Sequence, residues 1–171
     1  MMEENRSTAF LAALLYGAAA ITDLFDGYLA RRSGQVTVIG KFLDPLADKL
    51  MVVSILITLL HMKRIDLWIV ALILAREFTI TGLRAIASTE GMVIQARELG
   101  KQKTAFQMVG LAGLLLHFPY LVNFGFAESR IDFHRCGLIF LLISLFFSLA
   151  SAVDYFIEFF REMRKARRAK R

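Results

Sequence analysis

Four aspartates near the front of the chain stand at spacings that a helix turns into pairs: Asp23 and Asp26 are i, i+3, and Asp44 and Asp48 are i, i+4. Residues three or four apart share one helical face, so each pair projects from a single side. Pro45 suits a first helical turn, where its missing N–H goes unneeded, and predicts that the second pair opens a helix. Four carboxylates brought together repel one another unless cations lie between them. Hard oxygen ligands select Mg²⁺ or Mn²⁺ over zinc. Two such ions roughly 3.5–4 Å apart clamp both the attacking and the leaving oxygens of a phosphoryl displacement. Gly27 and Gly40 permit close backbone approach, Ala30 leaves space one turn after Asp26, and Arg31 brings a charge suited to a diphosphate. The plain alternative is a set of aspartates that cap helices. Single acidic caps are common, but four at this spacing, with glycine and arginine between them, argue against it.

A second group of charges lies further on. Arg76 and Glu77 fall inside an apolar stretch, and Glu77, Thr81 and Arg84 follow at i, i+4 and i+7, one stripe of a helix. They are either a structural ion pair that pins helix packing or part of a polar cavity; for Arg84, ligand contact is favoured. Lys101 and Lys103 either set topology or add cations to the same cavity. Together with Arg76 and Arg84 they would suit a dianionic phosphate, for which charge-assisted contacts are strong.

The pattern Asp-x2-Asp-Gly-x2-Ala-Arg-x8-Gly-x3-Asp-x3-Asp, carried by Asp23, Asp26, Gly27, Ala30, Arg31, Gly40, Asp44 and Asp48, resembles the signature of the CDP-alcohol phosphatidyltransferases. The stretches Ala75–Ala85, Leu99–Ala105 and Ser151–Phe156 look like those of the phosphatidylglycerophosphate synthases within that family, so the resemblance runs from about Thr8 to Phe160. It implies that the four aspartates organise two divalent ions, that Asp48 is also the general base, and that Gly27, Ala30, Arg31 and Gly40 contact the CDP part of CDP-diacylglycerol. It further implies glycerol 3-phosphate as the acceptor, met by Arg76, Thr81, Arg84, Lys101 and Lys103, and a homodimer. The signature fixes the donor more firmly than the acceptor, so inositol phosphate, serine or phosphatidylglycerol stay open as acceptors.

The elements that must position these residues follow from the apolar runs. The chain has 171 residues, 57% of them hydrophobic, and reads as one domain. Five stretches approach the roughly 20 apolar residues that cross a bilayer: Thr8–Phe25, Asp44–Met62, Asp66–Ser88, Thr104–Phe124 and Gly137–Phe160. The expected fold is therefore an all-α membrane bundle of about five transmembrane helices, with a basic tail over 161–171. Lys and Arg number thirteen in residues 26–43, 89–103 and the tail, against five in the alternate connections and the front. This places the tail and the aspartates on the cytoplasmic side and the N-terminus outside. Relatives begin with one more helix, so a missing first helix is expected, and with it either a longer reading frame or a weak or inactive enzyme.

Other function classes fit less well. The net charge of +6 gathers beside apolar segments without interleaved exposed aromatics, which suits anionic headgroups and not nucleic acid. Cys136 stands alone, and His61, His117 and His134 lack the spacing of a metal site. Intramembrane carboxylates also mark ion paths, but no inverted repeat supports a transporter.

Overall fold

The computed structural model describes residues 5–33, 38–91, 99–123 and 128–169, without the side chains of 23, 24, 26–33, 38–48, 99–101, 122, 123, 128, 129, 166, 167 and 169. Five helices and one hairpin follow in the order α1 (Arg6–Ser33), α2 (Val38–His61), α3 (Leu67–Thr89), α4 (Leu99–Leu116), β1 (Pro119–Asn123), β2 (Glu128–Asp132) and α5 (Phe133–Ala169). The five helices answer the five apolar stretches, and at about 1.5 Å per residue each approaches or exceeds the length a bilayer requires.

Apart from α3, the helix boundaries differ from the sequence expectation, α1 running on to Ser33 and α5 through the basic tail to Ala169, and two of the differences have a plain physical reason. Helix α2 begins at Val38, so Pro45 lies inside it and not in its first turn. A proline there cannot donate to the carbonyl four residues back, a loss that membrane helices tolerate when neighbours satisfy the freed group. The fourth stretch does not stay helical to Phe124. His117 adopts φ +56°, and Pro119 follows. A left-handed residue ends a helix and a proline cannot resume it, so the chain turns into the antiparallel β1–β2 pair, with Tyr120 opposite Ile131 and Leu121 opposite Arg130.

Helix α5 shows why the bundle is apolar outside as well as within. Leu141, Ser144, Leu145, Ser148, Ala152, Tyr155 and Phe159 are buried, whereas Ile139, Leu142, Phe146, Leu149, Val153, Ile157 and Phe160 are exposed at the same helical period. A helix hydrophobic on both faces belongs in a large core or in lipid. Its Phe133–Lys165 portion, with mean hydropathy 2.4, is long and apolar enough to cross a membrane, and among the described residues it is the one helix that is so by composition. Among the described residues, Arg6–Thr22 of α1 and Lys49–His61 of α2 are shorter apolar portions, and Arg76, Glu77 and Arg84 interrupt α3.

The closest helix contact joins α4 and α5. A Cβ on Gly137 would lie 2.6 Å from the Leu114 nitrogen and 2.8 Å from the Gly110 oxygen, and one on Gly113 would lie 2.8 Å from the Gly137 Cα. Small residues allow this approach, and in lipid, packing of this kind replaces the hydrophobic drive between helices.

The opposite end of α2 is locked by a buried charge. Lys63 takes φ +55°. The Arg64 N–H reaches the Leu59 carbonyl at 2.9 Å and the Lys63 N–H the Leu60 carbonyl at 3.0 Å, closing the helix with the paired bonds of a left-handed C-terminal cap. The Arg64 side chain, 4% exposed, donates from Nη1 to the carbonyls of Leu114 (3.2 Å) and Leu115 (2.9 Å) at the end of α4. A cation at a helix C-terminus satisfies carbonyls that have no partner within the helix. Arg64→Ala should destabilise the protein by about 2–3 kcal/mol, the worth of a charged hydrogen bond whose loss strands buried acceptors. Equilibrium unfolding in detergent measures this; a shift below about 0.5 kcal/mol would mean that water replaces the guanidinium without loss.

Candidate active site

The helices carry the aspartates as the spacing requires. Asp23 and Asp26 lie within α1, and Asp44 and Asp48 within α2. The side chains of all four lie outside the described residues, as do those of Gly27, Ala30, Arg31, Gly40 and Lys101. Four carboxylates in two helix-borne pairs form a hard oxygen donor set that fits divalent cations. Among the described residues no group of three or more His, Cys, Asp or Glu comes together to hold a metal ion.

A cavity of about 210 Å³ adjoins these positions along the chain. Ala20, one turn before Asp23, and Lys49, next after Asp48, both line it, so the two helices that bear the aspartates continue as its walls. Tyr16, Met51, Val52, Ile73, Phe78 and Met108 make the wall largely apolar, and Lys49, Glu77, Lys103 and Gln107 supply its polar groups.

Glu77 is the hub of these charges. Its Oε1 accepts from Arg76 Nη1 at 3.0 Å and from Lys103 Nζ. The Arg76 and Lys103 side chains are each 11% exposed, against 23% for Glu77. Burying a cation at this depth is costly unless a counter-ion is at hand, and one carboxylate serves two of them. Arg76 also donates from Nε to the Ser148 carbonyl of α5 at 3.2 Å, and Ser144 Oγ donates to the Lys103 carbonyl at 2.9 Å, which ties α3 and α4 to α5. Lys49 Nζ donates to Thr81 Oγ1, and Thr81 Oγ1 donates to the Glu77 carbonyl at 2.7 Å. Among the described side chains, two cations from α3 and α4 thus share a single carboxylate, and a third, Lys49 of α2, joins them through Thr81.

Of the residues expected to meet an acceptor, Lys103 lines the cavity, and Arg76 and Thr81 are joined to its polar groups. Arg84 is exposed on α3 and is not part of the lining. The Arg76–Glu77 pair pins helices, through Ser148 and Lys103, and Glu77 also lines the cavity. Lys49, Gln107 and Tyr16 had not been singled out as ligand contacts. The signal for Gln107 was present: an amide four residues after Lys103, on the same helical face, in an otherwise apolar run.

Comparison with known proteins gives the family. The family model described as CDP-alcohol phosphatidyltransferase matches residues 1–154. A Bacillus subtilis protein named CDP-diacylglycerol–glycerol-3-phosphate 3-phosphatidyltransferase is 42% identical over 157 residues, covering 90% of this chain and 76% of its own. Proteins of the same name from Rickettsia bellii (40% identical; 85% of this chain, 77% of the relative) and Treponema pallidum (33%; 91% and 73%) are also similar. With the family model spanning nearly the whole chain and both aspartate pairs inside the match, the chain belongs to the CDP-alcohol phosphatidyltransferase family.

Proposed function

We propose that this phosphatidyltransferase moves the phosphatidyl group from CDP-diacylglycerol to glycerol 3-phosphate, giving phosphatidylglycerol phosphate and CMP. The observation that carries the choice of acceptor is the pair of cations Lys49 and Lys103 on the wall of a small cavity, with Arg76 joined to them through Glu77, next along α1 and α2 to the aspartates. A neutral acceptor has no need of so many cations, whereas a phosphate dianion does.

The donor's diphosphate lies by the aspartate motif, with Arg31 and the backbone at Gly27 and Gly40 against its CDP portion. Two divalent ions, Mg²⁺ or Mn²⁺, held by Asp23, Asp26, Asp44 and Asp48, supply charge stabilisation to the diphosphate oxygens when bound. Asp48 takes the proton from the primary hydroxyl of glycerol 3-phosphate. That oxygen bonds to the phosphorus bearing diacylglycerol, the bond from that phosphorus to the CMP oxygen breaks, and CMP leaves as a phosphate monoester. Arg76, Arg84, Lys101 and Lys103 hold the acceptor's phosphate, fixed charges that need not reorganise as the reaction proceeds. The enzyme acts as a single-domain homodimer in the cytoplasmic membrane, with this site towards the cytoplasm.

Release of CMP from CDP-diacylglycerol by purified protein, with no acceptor and with glycerol 3-phosphate, inositol phosphate, serine or phosphatidylglycerol, tests the assignment. Glycerol 3-phosphate alone should support rapid release, and stronger release with another alcohol would reassign the acceptor. Arg84→Ala should raise the KM for glycerol 3-phosphate about 10-fold and leave that for CDP-diacylglycerol within about 2-fold, as expected when a uniform binding contact is lost. Equal changes in both would make Arg84 part of the scaffold.

A further inference from the structure

One polar side chain on the cavity wall has no part in the chemistry above. Gln107 is 7% exposed, lines the cavity, and its amide has no hydrogen-bond partner among the described residues. Buried amides are normally satisfied, and one left open towards a cavity marks a place for a ligand group. On the wall of the same cavity, Glu77 receives both of its cations at Oε1, and its Oε2 has no protein partner among the described residues. Lys103 connects the two: it holds Glu77, and Gln107 stands one turn beyond it on the same face of α4.

An amide NH₂ offers donors and a carboxylate oxygen accepts only, the complement of a hydroxyl, which donates once and accepts. We propose that Gln107 and Glu77 form a hydroxyl-reading subsite, in which the secondary hydroxyl of the acceptor donates to Glu77 Oε2 and accepts from the Gln107 amide. The inference rests on glycerol 3-phosphate as acceptor and deepens it. Arg76, Arg84, Lys101 and Lys103 read the phosphate's charge, while Gln107 and Glu77 decide which phosphorylated alcohol is held in register. Because the walls are largely apolar, an acceptor lacking that hydroxyl leaves the buried Gln107 amide unmatched and Glu77 Oε2 without that partner. Polar groups left so discriminate against the analogue more sharply than added contact area does.

The experiment compares glycerol 3-phosphate with 3-hydroxypropyl phosphate, which keeps the phosphate and a primary hydroxyl and lacks the secondary one. The wild-type chain should favour glycerol 3-phosphate in kcat/KM by about 10–100-fold, the range that an unmatched buried polar group produces. Gln107→Leu and Gln107→Met should bring that ratio below about 3-fold, by losing rate with glycerol 3-phosphate and keeping it with the analogue. Turnover of the analogue also reports that each variant is folded. An unchanged ratio, or equal loss with both acceptors in both variants, overturns the subsite and leaves Gln107 a packing residue. A wild-type chain that releases CMP with neither acceptor overturns the acceptor assignment and takes the subsite with it.

Discussion

Asp48→Asn should lower turnover with glycerol 3-phosphate by about 10²–10⁴-fold, the usual contribution of a general base, while the KM for CDP-diacylglycerol stays within a few-fold of wild type. The amide preserves size and shape and removes the ability to take the hydroxyl proton. Because the base acts on the acceptor and not on the CDP part, the loss should fall on kcat and not on donor affinity. Single-turnover CMP release at saturating substrate is the direct measurement. A variant that keeps more than about a tenth of the wild-type rate would remove Asp48 from the role of base. A parallel collapse of donor binding would mean that its foremost task is holding cations with Asp23, Asp26 and Asp44.

The second large effect is structural. Gly137→Val should prevent α4 and α5 from seating, because even its Cβ would lie 2.6 Å from the Leu114 nitrogen and 2.8 Å from the Gly110 oxygen, and both are backbone atoms that no rotamer change can move aside. Overpacking typically costs about 1–3 kcal/mol and occasionally more; with backbone on both sides, at least about 3 kcal/mol is expected here. Gly17→Ala is the matched control. Nothing lies within 4 Å of a Cβ at Gly17, and alanine is the better helix former by about 1 kcal/mol. Thermal unfolding of the detergent-solubilised variants should show the first strongly lowered and the second unchanged or raised. A Gly137→Val protein as stable as wild type would mean that the two helices sit farther apart than the structure places them.

The helices were legible because an apolar run of bilayer length leaves the backbone little choice but to bond within itself; α3 at Leu67–Thr89 falls within a residue of the stretch expected from Asp66 to Ser88. The aspartate pattern was legible as chemistry because its spacing carries meaning only on helices, and both pairs are on helices. What escaped depended on partners distant in the chain. Arg64 reads in sequence as a loop charge that sets topology, yet it caps a helix fifty residues later. Glycines 110, 113 and 137 carry no pattern that reveals a facing backbone. The β1–β2 hairpin turns on a single left-handed histidine, a conformation that residue type alone does not announce. Glu77 could be suspected of pairing with its neighbour Arg76, but the choice of Lys103 as a second cation belongs to the packing of α3 against α4.

The Arg64 pin also gives α2 a fulcrum. Its far end is fastened to the close of α4, and Asp48 lies thirteen residues back from the last residue of the helix, His61, a lever arm of about 20 Å at 1.5 Å per residue. A tilt of about 5° around that fulcrum would carry Asp48 through about 2 Å, more than the misplacement that costs an enzyme a hundredfold in rate. The accuracy of the aspartate constellation is therefore set partly at the opposite end of the molecule. Arg64→Ala, assayed well below its melting temperature, should lose kcat without a change in either KM; a fully active, merely less stable variant would show that the aim of α2 is fixed elsewhere.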